Sequence, residues 1–303
     1  MTTPPPTRER SRVDGVHYTV TGDGPRTVVL LHGFSDNLTT WGRIVPPLAV
    51  TNRVVAIDLP GFGRSTRCWQ APLVESYVDV IGEVLDAEGI DGPVSLIGNS
   101  MGAVVSTVFA ARRPERTERV VLIDMPGLHG VPRLWRLGLS RPAELGLRTA
   151  LRIVGDAPAR IGLGWAYSRI ACGDPRRLDP LVRSGFADPF AVKGSVPALL
   201  PLGRALLRDL ATLGLDDVVG SLAAPVLLVF GSRDVLTPAR VLRRTGRAGG
   251  AVVLPGCGHC PQIDQPEALL SAVAPFLVAG APEAPEAPEP PAAPGRVGTS
   301  PAA

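Results

Sequence analysis

The sequence predicts an α/β fold in which a mostly parallel sheet is flanked by helices. Short runs of β-branched and other apolar residues recur from Val28 onward, and stretches compatible with helices separate them. Strands that alternate with helices favour a parallel sheet, because parallel neighbours need a crossover connection. Polar motifs follow several of these strands directly, and sheets of this class place their ligands at the carboxyl ends of the strands.

Chain length and composition fit one large domain with an insertion. The chain has 303 residues, of which 45% are hydrophobic, enough for a sizeable core. We expect a flexible, Pro-rich segment over residues 1–12 and an α/β core over residues 13–124 and 225–279. Residues 125–224 are predicted to form a helical cap, since a structureless loop of that length is unusual. The repeats of Ala, Pro and Glu over residues 280–303 predict a disordered tail.

Charge and hydropathy exclude some classes of partner. The net charge of +3 gives no reason to expect nucleic acid. The predicted cap carries twelve Arg and one Lys against eight Asp and Glu, a balance of +5. A solvated helical surface explains this balance, and attraction of an anionic substrate or an acidic surface is the alternative. No apolar run reaches the ~18 residues of a membrane span, and the N-terminus lacks the apolar stretch of a signal peptide. We therefore expect a cytoplasmic protein with reduced cysteines.

The segment Val94–Gly102 places a serine in a sharp turn between a strand and a helix. It reads V-S-L-I-G-N-S-M-G, so strand-forming residues lead into the pattern G-x-S-x-G and a helix-compatible stretch follows. This is the context of a nucleophile elbow, which exposes the serine hydroxyl. Gly98 and Gly102 flank Ser100 because a side chain at either position would crowd the turn or the helix packing. Ser100 is thus the candidate nucleophile.

Two later segments supply the partners that a serine nucleophile needs. The strand predicted at Pro225–Phe230 runs into G-S-R-D, which puts Asp234 just past its end. The strand predicted at Ala251–Leu254 precedes the Gly-rich loop that holds His259. A histidine there can act as general base, and a carboxylate can orient it. Asp234 alone would be interpreted as a helix cap and His259 as a solvated loop residue, but their order after the serine favours a catalytic triad.

Taken together, these motifs resemble the α/β-hydrolase superfamily, in its esterase, lipase and C–C hydrolase-like branch. The resemblance spans Val13 to Val278, and it rests on the motifs L-L-H-G-F, a Trp at Trp41, D-L-P-G-F-G-R-S, G-N-S-M-G, G-S-R-D-x-x-T-P and G-C-G-H-x-P. Relatives that use an Asp nucleophile are disfavoured, because position 100 is Ser. The order Ser, Asp, His is the one that this fold uses.

The resemblance implies roles for the loop that follows the strand Val28–Leu31. One oxyanion donor would be the backbone N–H of Phe34 and the other that of Met101. Gly33 would let the backbone approach the substrate, and Asn99 beside the nucleophile is a further candidate for substrate contact. His32 precedes the nucleophile, so we expect it to make a structural hydrogen bond within the loop.

The acid has an alternative position. Some members of the fold place it after the strand that follows the nucleophile helix, and Asp124 stands there. We favour Asp234 because its turn ends the strand next before His259. The spacing of Cys257 and Cys260 is that of a C-x-x-C motif, but no second cluster completes a metal site, so small residues of the base loop are the simpler interpretation. Thiol sensitivity beside the histidine is left open.

The function implied is that of a serine hydrolase acting on carboxylic esters or related acyl compounds, without cofactor or metal. A small, apolar acyl substrate is expected beneath a mobile cap that sets chain length, since the cap is rich in Leu and in aromatic residues such as Trp135, Trp165 and Phe190. C–C bond hydrolysis or cofactor-free oxidative chemistry is the alternative. It is weakened by Cys260 after the base and by the lack of a Gly-Gly-Pro-Gly run. A non-catalytic binding protein is disfavoured, because the triad residues are all present.

Overall fold

One eight-stranded sheet organises the chain. The computed structural model describes residues 6–128, 130–131, 133–154, 156–173, 195–243 and 251–278, and the account below concerns these residues. The strands follow the order β1-β2-β4-β3-β5-β6-β7-β8. Their bounds are β1 (Thr7–Arg10), β2 (Tyr18–Thr21), β3 (Arg26–Leu31), β4 (Asn52–Ile57), β5 (Val94–Asn99), β6 (Thr117–Ile123), β7 (Val226–Gly231) and β8 (Ala251–Leu254). Strands β3 to β8 are parallel to one another, and β1 and β2 pair antiparallel at one edge, which confirms the predicted fold class.

Helices lie between and beside the strands in the described part of the chain. They are α1 (Val45–Leu48), α2 (Leu73–Ala87), α3 (Met101–Arg112), α4 (Arg133–Gly138), α5 (Arg141–Val154), α6 (Asp156–Ala171), α7 (Ser195–Thr212), α8 (Leu215–Ser221), α9 (Pro261–Asp264) and α10 (Pro266–Val278). Short 3₁₀ turns occur at Leu38–Trp41, Pro114–Arg116 and Ala239–Arg243. Among these helices, none has the length and apolar character that crossing a membrane would require.

Both faces of the sheet are covered by apolar cores. Successive residues of a strand point to opposite faces, so Val29 and Leu31 of β3 join one core while Val28 and Leu30 join the other. The first core includes apolar residues of α2, α3, α7 and α8, and the second includes residues of α10. This double coverage explains why the parallel strands consist of nearly continuous apolar runs.

The chain order of the strands brings two loops together at the carboxyl edge of the sheet. Strand β3 lies between β4 and β5, so the chain runs outward to β4 and then crosses back to β5. The loops after β3 and β5 therefore diverge from a topological switch point, where open α/β sheets leave a crevice. These loops hold Gly33 and Phe34 on one side and Ser100 and Met101 on the other.

Two regions differ from the sequence-based expectation. Residues 7–10 belong to the segment 1–12 that was expected to be flexible, yet they form the edge strand β1, because β2 offers unpaired backbone groups to a partner. The region 125–224, expected to be a cap, contains α4 to α8. Of these, α8 packs against α3, and Leu210 and Leu215 join the sheet core, so this end of the insertion belongs to the core. Phe190 and the predicted tail 280–303 lie outside the described residues.

Candidate active site

Ser100 occupies a strained turn between β5 and α3. Its backbone φ is +52° and its ψ is −113°, a conformation that L-residues rarely adopt. A Cβ atom on Gly98 would overlap the carbonyl of Gly102, and one on Gly102 would overlap the carbonyl of Leu31. Only glycines allow the strand, the turn and the helix to pack this closely. The backbone N–H of Ser100 donates to the carbonyl of Ile123 at 2.8 Å, which ties the turn to β6.

A buried histidine–aspartate pair lies at the ends of β7 and β8. His259 Nδ1 and Asp234 Oδ2 are 2.8 Å apart, and both residues are almost fully buried. Asp234 Oδ1 accepts from the backbone N–H groups of Leu236 and Thr237 at 2.7 and 3.1 Å. Burial acts to raise the pKa of Asp234, but the charge and hydrogen bond of His259 and the bonds from Thr237 outweigh it and lower the pKa to about 2. The carboxylate is therefore ionised and can orient His259.

Thr237 holds the pair in place, a role that was not predicted from the sequence. Its hydroxyl lies between the Asp234 carboxylate and the backbone carbonyl of Asp124, the second at 3.0 Å. The hydroxyl is also 3.4 Å from His259 Nδ1. The signal in the sequence was the Thr of G-S-R-D-x-x-T-P, three residues after the acid, where a hydroxyl can reach back to the carboxylate.

Asp124, the alternative acid, is fully buried beside this pair. Ligand atoms of Asp124, Asp234 and His259 all lie within 4.8 Å of one another. Asp124 Oδ1 accepts from the backbone N–H of Gly231 at 2.9 Å, whereas its Oδ2 has no hydrogen-bond partner among the described residues. Burial and the neighbouring charge of Asp234 raise the pKa of Asp124 well above its usual value. The carboxyl group hydrogen-bonded to His259 is therefore that of Asp234, and Asp124 is a buried neighbour whose charged form is disfavoured.

Asn99 connects the nucleophile turn to the histidine loop. Its Nδ2 donates to the backbone carbonyl of His259 at 2.9 Å, and its Oδ1 accepts from Gln262 Nε2 at 3.2 Å. The side chain is only 1% exposed. The expected substrate contact of Asn99 is therefore not supported, because its amide group is occupied inside the protein. Gln262 was missed in the sequence, where nothing distinguishes it from other residues of a short helix.

The loop after β3 approaches the serine closely. A Cβ atom on Gly33 would lie 3.4 Å from that of Ser100 and 3.1 Å from Asn99 Oδ1, so glycine keeps this approach open. His32 Nε2 accepts from the backbone N–H of Leu59 at 3.0 Å, and Nδ1 lies 2.8 Å from the carbonyl of Gly33. Nδ1 must therefore carry the proton and donate. This confirms the structural hydrogen bond expected of His32, which holds the loop.

The two predicted oxyanion donors, Phe34 and Met101, lie next to the close contact between Gly33 and Ser100 in the chain. Met101 is the first residue of α3, so its N–H has no acceptor within the helix and lies at the positive end of the helix dipole. Phe34 follows Gly33, and its ring packs edge-on against Phe62 at 5.6 Å between centroids. A tetrahedral oxyanion needs two donors of this kind.

Residues of the segment 125–224 cover Phe34. A Cβ atom on Gly203 of α7 would lie 2.9 Å from a Leu139 methyl group and 3.4 Å from the Phe34 ring, so α7 and the turn after α4 meet above the loop. A cavity of about 650 Å³ adjoins this region on the Phe62 side, and α7 contributes apolar residues such as Leu202 to its wall. None of the predicted triad residues lines that cavity.

The aromatic residues expected in an acyl pocket differ from one another. Trp135 is partly buried and packs against the sheet core, whereas Trp165 is 61% exposed and stacks with Arg169 at 4.4 Å. Trp165 therefore does not line a buried pocket. The sequence could not predict that Trp165 lies on the outer side of α6, because polar and apolar residues are evenly distributed around this helix.

The cysteines near His259 are inaccessible. Cys257 and Cys260 are fully buried and Cys172 nearly so, and none forms a disulfide. Burial raises the pKa of all three thiols, so they stay protonated at neutral pH. The thiol sensitivity that was left open at this loop is thus disfavoured. Cys68 is the exposed cysteine of the four.

Fold and site together define a class of enzyme scaffold, in which a parallel sheet carries a serine elbow and a buried His–Asp pair. Comparisons with known proteins agree. The profile described as "Alpha/beta hydrolase family" matches residues 28–272. The chain therefore belongs to the α/β hydrolase family.

Curated and solved relatives extend the comparison. The chain is 29% identical over 273 residues to a pimeloyl-[acyl-carrier protein] methyl ester esterase of Nitrosomonas europaea, covering 84% of this chain and 97% of that protein. It is 30% identical over 267 residues to a 2-hydroxy-6-oxo-2,4-heptadienoate hydrolase of Pseudomonas putida, with 83% and 89% covered. The structure of wild-type Cfl2 from Burkholderia cenocepacia superposes with a TM-score of 0.73 at 26% identity, with 89% and 95% covered.

Proposed function

We propose that this protein is a serine hydrolase that cleaves carboxylic esters or related acyl compounds through an acyl-enzyme. The observation that carries the proposal is the buried His259–Asp234 pair, whose backbone is joined to the Ser100 turn through Asn99. The esterase relative supports ester substrates, and the covered Phe34 supports an apolar acyl group beneath the cap. No cofactor or metal enters the proposed reaction.

The proposed reaction has two stages. Ser100 Oγ attacks the substrate carbonyl while His259 accepts its proton, and Asp234 stabilises the imidazolium that forms. The backbone N–H groups of Phe34 and Met101 bind the oxyanion, each contributing roughly 3–4 kcal/mol at the transition state. His259 then protonates the leaving alcohol. In the second stage water attacks the acyl-enzyme by the same route and releases the acid.

The nucleophile is tested by labelling and mutation. A fluorophosphonate probe is expected to modify Ser100 alone, because only the elbow serine would have a base and oxyanion donors beside it. Ser100→Ala should lower turnover of p-nitrophenyl esters by about 10⁴–10⁶-fold. Ser106→Ala is the matched control, since Ser106 is buried in α3 and donates only to the carbonyl of Gly102. Labelling at another serine, or near-normal turnover of the Ser100 variant, would refute the assignment.

C–C bond hydrolysis is the second candidate, and the relative from Pseudomonas putida favours it. The same serine and histidine would then act on a carbon–carbon bond next to a carbonyl group. Parallel assays on p-nitrophenyl esters of graded length and on a dienol-type diketone separate the two candidates. Ester turnover without cleavage of the diketone is expected.

Two further predictions accompany the function. The cap is proposed to select the acyl chain, because Leu139 and Gly203 meet directly above Phe34.

A cytoplasmic location stays a prediction, and fractionation of the producing cells would test it.

A further inference from the structure

The helical segment α4 to α6 exposes large apolar side chains. Within the described residues, five Leu, Ile and Trp side chains on these helices are 61–80% exposed: Leu137, Leu145, Ile153, Ile161 and Trp165. Elsewhere in that part of the chain, the exposed large apolar residues are single valines at separate places: Val50, Val235, Val253 and Val278. Scattered single residues are ordinary on a protein surface, whereas a cluster marks an interaction site.

Helix α5 has a distinct inner and outer face. Glu144 and Leu151 are partly buried, and Glu144 forms an ion pair with Arg204 of α7 at 2.6 Å, so this face points to the rest of the protein. Leu145 and Ile153 are eight residues apart with the exposed Thr149 between them. Residues four apart lie on the same side of a helix, so these three form a stripe that faces away from α7.

Helix α6 has a second stripe of the same kind. Ile161, Trp165 and Arg169 are four residues apart and all exposed, and Arg169 stacks on the Trp165 ring at 4.4 Å. Ala171, on a different side of the helix, is buried, and so is Ser168, which follows Trp165 by three residues and borders the stripe. Helices α5 and α6 are in contact, so the two outer stripes belong to neighbouring helices. Helix α4, which carries the exposed Leu137, also contacts α5. We call Leu137 and the two stripes together the outer cap surface.

The outer cap surface is also basic. Residues 133–173 contain seven Arg against one Asp and one Glu. The four of these arginines whose side chains the structure describes are all exposed, namely Arg136, Arg141, Arg148 and Arg169. Glu144 pairs with Arg148 and with Arg204 of α7, so it offsets at most one of these four positive charges. Exposed Leu, Ile and Trp next to arginines are the composition of helices that lie in a membrane interface.

We propose that the outer cap surface docks this protein on anionic lipid bilayers. The Leu, Ile and Trp side chains would enter the boundary between headgroups and acyl chains, and the arginines would bind lipid phosphates. An acidic protein could pair with the arginines. To bury the exposed Leu, Ile and Trp side chains as well, that protein would need an apolar groove or patch of matching shape. The apolar side chains instead project from two helices and a third short one, which suits a planar lipid surface. The proposal goes beyond the proposed hydrolysis and does not depend on it.

Vesicle co-sedimentation tests the proposal with the full-length protein. We expect binding to vesicles made of equal parts phosphatidylcholine and phosphatidylglycerol, weaker binding to phosphatidylcholine alone, and loss of the difference at high salt. The double variant Leu145→Glu, Ile161→Glu should bind the anionic vesicles at least about tenfold more weakly. The matched control is Val50→Glu, Val278→Glu, which makes the same charge change at exposed apolar sites outside the cap and should bind like the wild type.

Tryptophan fluorescence gives a second readout. On adding anionic vesicles, the emission should shift to the blue because Trp165 leaves water, and Trp165→Phe should abolish that shift while still co-sedimenting. Thermal denaturation establishes that each variant is folded. Absence of vesicle binding, or equal losses in the cap and control variants, would overturn the proposal. Retention on immobilised polyglutamate without vesicle binding would also overturn it, in favour of an acidic protein partner.

Discussion

At the scale of single residues, two buried carboxyl groups share one site, and their surroundings shift their pKa values in opposite directions. Asp234 is hydrogen-bonded to His259 and has its pKa lowered to about 2, whereas burial and the charge of Asp234 raise the pKa of Asp124. Two adjacent carboxylates cannot both ionise readily in such surroundings. The division of roles follows from which carboxyl group the histidine reaches.

Activity measurements on matched amide variants test this division. Asp234→Asn removes the carboxylate that orients His259, and it should lower ester turnover by about 10⁴-fold. Asp124→Asn keeps the shape of a side chain that is not the hydrogen-bond partner of His259, so turnover at neutral pH should stay close to that of the wild type. If Asp124→Asn lowers turnover more than Asp234→Asn does, the assignment of the two carboxyl groups must be reversed.

Asp124→Asn is expected to stabilise the folded protein at neutral pH. The folded-state pKa of Asp124 lies above the unfolded value of about 3.9, so the folded protein binds more protons and loses stability as pH rises above that value. Asp124→Asn removes this titration while retaining an oxygen that can accept from Gly231. The variant should therefore melt above the wild type at pH 7–8, by roughly 2–4 °C for each kcal/mol gained. Calorimetry at several pH values should find the difference gone near pH 3, and a constant difference would contradict the explanation.

At the scale of elements, contacts between the cap and the loop after β3 depend on one small residue. Gly203 lies in α7 where Leu139 and Phe34 converge, and even a methyl group would come within 2.9 Å of Leu139. Helix α7 and the turn after α4 can approach the loop that holds Phe34 only because no side chain stands there. Helix α7 thereby links the packing of the segment 125–224 to the position of that loop.

Gly203→Ala should consequently displace Leu139 or Phe34 and lower kcat/KM most for esters with long acyl chains. Gly146→Ala in α5 is the control, since nothing lies within 4 Å of a Cβ atom there and the change should be neutral or mildly stabilising. Assays on p-nitrophenyl esters of graded length report the change. If both substitutions have the same effect, or if neither affects any ester, the contact at Gly203 does not influence the choice of acyl chain.

At the scale of the whole molecule, the burial of three cysteines makes their reactivity a measure of how readily the folded protein opens. Cys257 and Cys260 belong to the loop around His259, and Cys172 follows α6 of the cap, yet Cys260 and Cys172 pack in one small cluster. The backbone N–H of Cys260 donates to the carbonyl of Ala171 at 3.1 Å. The end of α6 and the loop that holds His259 are therefore joined by direct packing as well as by the chain.

Under native conditions a thiol reagent such as dithionitrobenzoate should modify only Cys68 rapidly. The other three cysteines are buried and protonated, so they should react only on unfolding. Cys68→Ser should abolish the fast phase. Rapid reaction of a second thiol in that variant, located by mass spectrometry, would indicate that the cap separates from the base loop in the folded protein.

The sequence by itself determined the features that depend on neighbouring residues in the chain. Apolar runs predicted the parallel strands, since a strand buried on both faces needs apolar residues throughout. Gly98 and Gly102 marked the serine turn because the close packing there excludes a side chain. Motifs at the ends of β7 and β8 singled out Asp234 and His259, because the carboxyl edge of a parallel sheet brings such residues to one place.

Only the tertiary structure decided what depends on residues far apart in the chain. Asp124 and Asp234 are 110 positions apart, and their proximity comes from the pairing of β6 with β7. The occupation of the Asn99 amide by His259 and Gln262, more than 150 positions away, and the strand at residues 7–10 likewise arise from contacts that no local pattern encodes. The exposure of Trp165 is of the same kind, because a helix exposes whichever face the rest of the fold leaves uncovered.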